Sequence, residues 1–171
     1  MLPPYKQEDA VYLEGKTIGS GTGHAAGRAL LARMYSRYVG GPLPTIALTE
    51  RGKPYFVDSP WHFSISHTKR HVFCALSETN VGIDAEEADR SIRLELAEKI
   101  LSPSEYRQYE AAADKRAALL TFWVLKEAQA KLTGEGIKFH PKHTDFLLDD
   151  PRVTWIDNCL VAVFQEEENA F

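Results

Sequence analysis

The chain has 171 residues, of which 44% are hydrophobic and 26% are charged, so it can bury a core without disulfide bonds. Its net charge of −4 argues against a general nucleic-acid-binding protein, which needs an excess of Lys and Arg. No apolar run reaches the roughly 20 residues that cross a bilayer, and the first ten residues do not resemble a signal peptide. Cys74 and Cys159 lie in strand-like runs without metal-type spacing. We therefore expect a soluble cytoplasmic protein with free, buried thiols.

The first half of the chain predicts one helix among short strands. Residues 10–18 are strand-like, and residues 24–40 have helical spacing that ends at Gly40. Four prolines break residues 41–62 into short strands and turns. In "FSISHT" the apolar side chains alternate with serines, which predicts a strand, and residues 71–87 predict two strands joined by a tight turn at "SETN".

The second half predicts three helices followed by a hairpin. Residues 91–100 have an apolar residue at every fourth position, and "SPSE" at residues 102–105 is a capping box that opens a second helix. The stretch "FWVLKEAQAKLTGEG" at residues 122–136 predicts the third helix, and residues 152–167 predict a hairpin that turns at Asp157 and Asn158. The expected fold class is α+β.

Two segments of the chain resemble each other weakly. "GRALLARMY" and "KRAALLTFW" each precede a strand that contains a cysteine, at nearly equal separation. This pattern indicates either two halves of similar build or a chance similarity of apolar strings, and the residues alone leave both open.

The stretch "GIDAEE" places two carboxylates on one side of a strand. Side chains two residues apart share a face, so Asp84 and Glu86 point the same way, while Ile83 and Ala85 point toward a core. A hard divalent cation such as Mg²⁺ would relieve the repulsion between the two acids. The alternative is an exposed strand edge whose acids are merely solvated.

The third predicted helix carries ionisable residues beside its most apolar segment. Trp123, Glu127 and Lys131 follow one another at intervals of four and form one stripe, and Lys126 lies beside it. Glu127 could share a cation with the two strand acids, and the lysines would favour a polyanion such as a pyrophosphate. We expect Gly134 to end the helix and Gly136 to let the backbone approach the ligand.

These motifs resemble those of the Sfp-type 4′-phosphopantetheinyl transferases. "RGKP", "FSISHT", "GIDAE" and "WVLKEAQAKLTGEGI" occur in the order and spacing of that family, over about half of the chain. The resemblance implies a holo-[carrier protein] synthase that moves the phosphopantetheine arm of coenzyme A onto a serine of an apo acyl or peptidyl carrier protein of fatty-acid, polyketide or peptide synthesis. It also implies two similar α/β halves in a pseudo-twofold arrangement, residues 1–80 on the coenzyme A adenosine side and residues 81–171 with the metal and catalytic motifs, and an active site in the cleft between them.

The resemblance also assigns roles to single residues. It implies that Asp84, Glu86 and Glu127 bind Mg²⁺, that Glu127 is the general base, and that Lys131 stabilises the leaving oxygen. It implies further that the remaining residues bind coenzyme A. Lys126 would bind the phosphates, Lys53, Ser66 and His67 would bind the 3′-phosphate and its surroundings, and Arg28 would bind the adenosine end. The segment before Arg28 lacks the basic cluster of larger relatives, which weakens the last assignment. A monomer is expected.

Three other functions compete with transfer. A module could bind coenzyme A or carrier protein without catalysis, and Mg²⁺ dependence would separate it from an enzyme. "GTGHAA" fits a loose dinucleotide-binding fingerprint, but the alternation of a doubly wound sheet does not continue and no acid follows a second strand. Ser66 and His67 are adjacent on a strand and point to opposite faces, so they cannot form a nucleophile–base pair.

Overall fold

The computed structural model describes residues 5–7, 11–135 and 141–167. The strands are β1 (Tyr5–Gln7), β2 (Val11–Thr17), β3 (Ile46–Leu48), β4 (Pro54–Phe56), β5 (His62–His67), β6 (His71–Ser77), β7 (Val81–Glu87), β8 (Val153–Ile156) and β9 (Cys159–Gln165). The helices are α1 (Gly23–Tyr38), α2 (Leu96–Ile100), α3 (Pro103–Ala111) and α4 (Lys115–Thr133), and Pro141–His143 form one 3₁₀ turn. The expectation for Gly136 lies outside the described residues.

The strands form three antiparallel sheets. The first has the order β1-β2-β6-β5, the second is the β3-β4 hairpin, and the third has the order β7-β9-β8. Helix α1 lies between β2 and β5 along the chain, and α4 lies between β7 and β8. All described strand pairs are antiparallel, so the doubly wound parallel sheet of the dinucleotide-binding alternative is wrong for this chain.

The two larger sheets pack face to face, and a helix covers the outer side of each. Between the sheets lies a core that includes Phe73, Ala75, Ile83 and Val161. Helix α1 packs on the first sheet through a second core, and α4 packs on the third sheet through the largest one. The layers therefore run α1, first sheet, third sheet, α4, and both faces of each large sheet are covered. This is a mixed α/β architecture.

Strands β5 and β7 lie side by side without a backbone ladder. The hydroxyl of Ser64 accepts a hydrogen bond from the backbone N–H of Ile83, and the hydroxyl of Ser66 accepts one from that of Ala85, both at 3.0 Å. These two bonds satisfy amides on the edge of β7 that no strand pairs with on that side. We call this line of contacts the serine seam. It brings the end of β5 next to the acids of β7.

Helix α4 approaches β7 closely at Gly82. A Cβ at this position would lie 2.3 Å from the carbonyl oxygen of Ala128 and 2.4 Å from the amide nitrogen of Leu132, so only glycine fits. The contact sets the distance between the strand that carries Asp84 and Glu86 and the helix that carries Glu127.

The helix ends test the sequence predictions directly. The hydroxyl of Ser102 caps α3 by accepting from the N–H of Glu105, and Pro103 is the first helical residue, as predicted. Gly134 ends α4 in the left-handed conformation with φ 73°, also as predicted. Helix α4 begins seven residues before the predicted start, where Asp114 accepts from the N–H of Ala117.

One prediction about secondary structure was wrong in detail. The helix predicted over residues 91–100 is confined to Leu96–Ile100, and the backbone carbonyls of Ala88 and Arg90 bind Arg116 instead of helical N–H groups. The predicted pair of strands joined by a tight turn is confirmed as β6 and β7, which pair with different strands rather than with each other. The turn residue Asn80 donates to the carbonyl of Leu132 in α4, which directs β7 toward that helix.

The prediction of free, buried thiols is confirmed. Both cysteines are free and buried, Cys74 in β6 and Cys159 in β9. Among the described residues, no helix combines the length and the apolar character that a membrane span requires.

Candidate active site

Asp84 lies at the centre of the candidate site, on the side of β7 that faces α4. Its carboxylate is buried, and its Oδ1 accepts hydrogen bonds from Lys131 Nζ at 3.0 Å and from the hydroxyl of Ser66 at 3.2 Å. Its Oδ2 is also buried and has no hydrogen-bond partner among the described residues. A buried carboxylate oxygen without a partner is costly, so this atom is a strong candidate to bind a cation or a donor.

Glu86 lies two residues further along the same face of β7. Its Oε1 accepts a hydrogen bond from the indole Nε1 of Trp123 at 3.1 Å and forms an ion pair with Arg90. The guanidinium of Arg90 in turn lies 5.8 Å from the centre of the Trp123 ring. Trp123 and Arg90 therefore hold the second acid of the strand from two sides.

Glu127 completes the group from α4, one helical turn after Trp123. All three acids border one cavity of about 350 Å³. The cavity is lined by Ile65, Ser66, His67, Asp84, Ala85, Glu86, Arg90, Trp123, Glu127 and Lys131. The structure thus brings together the predicted strand acids, the predicted helix acid and Lys131, and the reading of Asp84 and Glu86 as solvated edge acids is wrong.

The carboxylates in this cavity are difficult to ionise. Burial raises the pKa of Asp84 above its ordinary value, although Lys131 partly offsets this effect. Burial and the neighbouring Asp84 raise the pKa of Glu86 to about 7, and the same two causes raise the pKa of Glu127. A cavity that holds three mutually repelling acids favours a cation or a proton at neutral pH.

The donor chemistry of the cavity fits Mg²⁺. The three carboxylates supply the hard oxygen ligands that this ion prefers, and one of these oxygens, Oδ2 of Asp84, has no hydrogen-bond partner among the described residues. As they stand, no three carboxylate, imidazole or thiol groups of the described chain lie close enough together to enclose a metal ion. Joint coordination by the three acids therefore requires at least one of their side chains to rotate.

The structure separates the two predicted phosphate-binding lysines. Lys131 faces the cavity and pairs with Asp84. Lys126 points to the other side of α4, where it is 1% exposed and pairs with Glu105 at 2.6 Å. The prediction that Lys126 holds the phosphates is wrong for this geometry, because Glu105, Pro141 and Thr144 bind its ammonium group on the side of α4 away from the cavity.

Lys53 borders a second cavity next to the first. This cavity has a volume of about 290 Å³, is mostly apolar, and shares Ile65, Glu127 and Lys131 with the acid cavity. The ammonium group of Lys53 donates to the side chain of Asn80 at 2.7 Å and to the carbonyl of Leu132 at 2.8 Å. Two of its three donors thus fasten the β3–β4 hairpin to the end of α4, and one remains for a ligand.

Of the other predicted coenzyme A contacts, Ser66 and His67 border the acid cavity and Arg28 borders neither cavity. Ser66 borders the acid cavity, but its hydroxyl already donates to Asp84 and accepts from Ala85. His67 is exposed, and its ring lies against the start of α1, where a Cβ at Gly23 would be 2.4 Å from Nδ1. Arg28 lies on α1 and is not among the residues that border either cavity.

Two site residues were missed as site residues by the sequence analysis. Trp123 was recognised only as the start of the helical stripe, although its position one turn before Glu127 places its indole N–H beside Glu86. No sequence motif singles out Arg90. Its spacing of four residues from Glu86 could not have revealed the contact, because the intervening chain is not helical.

The chain is similar to known proteins, and the family match includes the three acids of the cavity. Residues 80–168, more than half of the chain, match the family model described as the 4′-phosphopantetheinyl transferase superfamily. The chain is 39% identical over 92 residues to 4′-phosphopantetheinyl transferase Sfp of Bacillus subtilis strain 168, which covers 52% of this chain and 40% of that protein.

Two further relatives extend the similarity. One is 4′-phosphopantetheinyl transferase HetI of Nostoc sp., 33% identical over 122 residues, or 66% of this chain and 52% of that protein. The other is 4′-phosphopantetheinyl transferase gsp of Aneurinibacillus migulanus, 38% identical over 90 residues, or 52% of this chain and 37% of that protein. The chain spans about half, or less, of the length of these curated relatives. The match to the family model nevertheless shows that the chain belongs to the 4′-phosphopantetheinyl transferase superfamily.

Proposed function

We propose that this protein transfers the 4′-phosphopantetheine group of coenzyme A to a serine of an apo acyl or peptidyl carrier protein, in a Mg²⁺-dependent reaction. The observation that carries the proposal is the single cavity bordered by Asp84, Glu86, Glu127 and Lys131. The family match over residues 80–168, which include the three acids, and the names of the relatives as 4′-phosphopantetheinyl transferases support it.

The three carboxylates would hold the metal ion. Asp84 offers its partnerless Oδ2, and Glu86 and Glu127 offer oxygens from the neighbouring strand position and from the helix. When bound, Mg²⁺ would supply positive charge that offsets the negative charge of the pyrophosphate oxygens. This charge would otherwise repel the attacking serine oxygen.

Glu127 is the proposed general base. Burial and the neighbouring Asp84 raise the pKa of its carboxyl group, which makes the carboxylate a better proton acceptor than an ordinary glutamate. It would accept the proton of the carrier serine hydroxyl, directly or through water. The serine oxygen then forms a bond to the phosphorus attached to pantetheine.

Lys131 is the proposed partner of the leaving group. The bond that breaks joins the same phosphorus to the bridging oxygen, and adenosine 3′,5′-bisphosphate departs with the bonding electrons. The side chain of Lys131 is 34% exposed, and its ammonium group can donate to this oxygen as negative charge develops. Positioning and electrostatics thus supply most of the catalysis.

We propose that coenzyme A lies along the two adjoining cavities. The remaining donor of Lys53 and the exposed ring of His67 would meet the 3′-phosphate and its neighbours. Ser66 would contribute through its placement between β5 and Asp84, and Arg28 would reach the adenosine end from α1. Lys126 has no part in this binding because it is buried on the far side of α4.

We further propose that the chain consists of two similar halves, residues 1–80 and 81–171, related by a pseudo-twofold axis with the site in the cleft between them. In support, the strand order is the same in both large sheets. In β2-β6-β5 and in β7-β9-β8, the strand that comes last along the chain lies between the other two. In the first sheet α1 follows the strand that comes first along the chain, and in the third sheet α4 follows it. Because both halves belong to one chain, a monomer suffices. We also keep the expectation of a cytoplasmic location.

The decisive experiment mixes the protein with coenzyme A, Mg²⁺ and a panel of apo carrier proteins and weighs each carrier by mass spectrometry. We expect the mass of a phosphopantetheine group to be added to at least one carrier, and no addition when EDTA replaces Mg²⁺. A folded protein that binds coenzyme A but modifies no carrier would instead support the non-catalytic binding module.

A further inference from the structure

An ion pair is completely enclosed between α3 and α4. The ammonium group of Lys126 lies 2.6 Å from Oε2 and 3.0 Å from Oε1 of Glu105, and the two side chains are 1% and 0% exposed. Fully buried Lys and Glu are rare in proteins unless they are paired. The capping box predicted at "SPSE" is only half formed, because Glu105 turns into the core instead of binding back to the helix N-terminus.

The pair also fixes the segment that follows the 3₁₀ turn. Lys126 Nζ donates to the carbonyl of Pro141 and to the hydroxyl of Thr144, and Thr144 in turn donates to Glu105 at 2.5 Å. The backbone N–H of Phe146 lies 3.4 Å from the same carboxylate. All three donors of the ammonium group therefore have partners, and the pair joins α3, α4 and residues 141–146.

Apolar packing alone does not define the rotation of α4 about its axis. From Ala118 to Leu125 every residue except Trp123 is buried, so this part of the helix is apolar on nearly all sides. A helix of this kind can be packed in more than one rotational setting, whereas directional polar contacts select one. Lys126 is the buried charge of α4, and it is adjacent in sequence to Glu127.

We propose that Lys126 is a positioning residue: its contacts with Glu105, Pro141 and Thr144 set the rotation of α4 that directs Glu127 and Lys131 into the acid cavity. Because Lys126 and Glu127 are separated by about 100° around the helix, fixing the first on the side of α3 places the second on the side of β7. The same rotation places the indole N–H of Trp123 beside Glu86.

The Lys126→Met variant tests this role, with Lys115→Met as its matched control. Lys115 lies on the same helix and also donates to backbone carbonyls, those of Tyr109 and Glu110, but it is far along the chain from Glu127. We expect Lys126→Met to lower kcat by roughly 100-fold at a temperature where it stays folded, with the KM for coenzyme A unchanged, because a small misplacement of a reacting group has this effect. A raised KM with unchanged kcat would instead indicate a phosphate contact and overturn the proposal.

A second variant, Lys126→Met with Glu105→Leu, separates positioning from stability. Removing both charges relieves the unpaired carboxylate, so we expect the double variant to recover most of the thermal stability. We expect its kcat to stay low, because two apolar side chains do not select a rotation. A double variant with wild-type kcat would overturn the proposal.

A spectroscopic readout keeps this test independent of the proposed transferase activity, on which the kinetic expectation rests. The chain has three tryptophans, so the indole N–H signal of Trp123 can be assigned by Trp123→Phe in a ¹⁵N-correlated NMR spectrum. We expect this signal to shift in Lys126→Met and in the double variant but not in Lys115→Met. An unshifted signal in the folded Lys126 variants would overturn the positioning role even if no carrier is modified, whereas a shifted signal in a protein without transfer would fault only the proposed function.

Discussion

The two sides of α4 treat their charged residues in opposite ways. On the side of α3, Lys126 and Glu105 are fully buried and form an ion pair, and Thr144 donates to the same carboxylate. On the side of β7, Glu127 faces a cavity together with two other acids, Asp84 and Glu86. One helix thus carries, at two neighbouring positions, a residue of an enclosed ion pair and a residue that faces a cavity among other acids.

This difference teaches how a buried charge can be interpreted. A charge whose hydrogen bonds are all made inside the protein contributes to the structure, and nothing needs to bind to it. Acids that repel one another and carry raised pKa values need a further partner, and that partner indicates function. The sequence pairs Lys126 and Glu127 as neighbours, yet only the second faces the site.

The largest expected effect comes from Glu127→Gln, on the side of α4 that faces the acid cavity. Removing the proposed base and metal ligand should lower the rate of carrier modification by roughly 10³-fold. Thermal stability should be unchanged or higher, since one of three repelling acids is lost. The measurement is carrier modification by mass spectrometry beside a thermal melt, with Glu98→Gln on the exposed side of α2 as control. Retained turnover in Glu127→Gln would remove the residue from the mechanism.

The corresponding change on the side of the enclosed ion pair is Glu105→Ala, which should mainly lower the free energy of unfolding. It leaves the ammonium group of Lys126 buried without its counter-charge, which typically costs about 3–5 kcal/mol. Urea denaturation measures the loss, and Glu110→Ala, at an exposed position of the same helix, is the control. Equal stability of the two variants would contradict the contrast between the two sides of α4.

Gly82→Ala tests the distance between the two acid-bearing elements. The added methyl group meets backbone atoms of α4 at 2.3 and 2.4 Å, so the strand and the helix must separate. We expect a loss of about 3 kcal/mol, near the upper end of overpacking costs, together with reduced turnover. Gly19→Ala, where a methyl group meets nothing within 4 Å, should be neutral in the same denaturation and activity assays. Wild-type behaviour of Gly82→Ala would show that the close approach is not required.

The smallest effect is expected at Asp145, which fastens residues 141–146 to the start of α3. Hydrogen bonds from Ser104 at 2.7 Å and Ser102 at 3.0 Å lower the pKa of this carboxyl below its ordinary value. Its contribution to stability is therefore present above the ordinary pKa of about 3.9 and is lost as the pH falls through the lower folded value.

The matching variant is Asp145→Asn, compared with Asp149→Asn at an exposed position shortly after that segment. We expect Asp145→Asn to be less stable than the wild type in thermal melts at pH 6, and this difference to vanish in strongly acidic solution. A difference that persists at low pH would point to a contact other than the ionised carboxylate.

Local patterns predicted those features that depend on neighbouring residues. The period of two in β7 placed Asp84 and Glu86 on one face, and the spacing of four in α4 placed Glu127 and Lys131 on one stripe. The caps at Ser102 and Gly134 followed from residue type. In each of these cases the interaction spans at most a few residues of chain.

The features that the sequence did not reveal depend on contacts between distant segments. The direction of Lys126 is set by Glu105, 21 residues away, and by Thr144, 18 residues away. The separation of β6 and β7 into different sheets depends on Asn80, which binds a carbonyl of α4. Neither spacing nor residue type carries this information, because the partners meet only in the folded chain.

The serine seam means that β5 and β7 are joined by side chains and not by a backbone ladder. Ser64 and Ser66 bind amides of β7, and Thr68 and the backbone N–H of Arg70 bind Glu87 at its end. A bridging water can take the place of a hydroxyl at such an amide while every ladder within both sheets stays intact. The acids of β7 therefore lie beside a line where side chains, rather than paired backbones, hold the two sheets together.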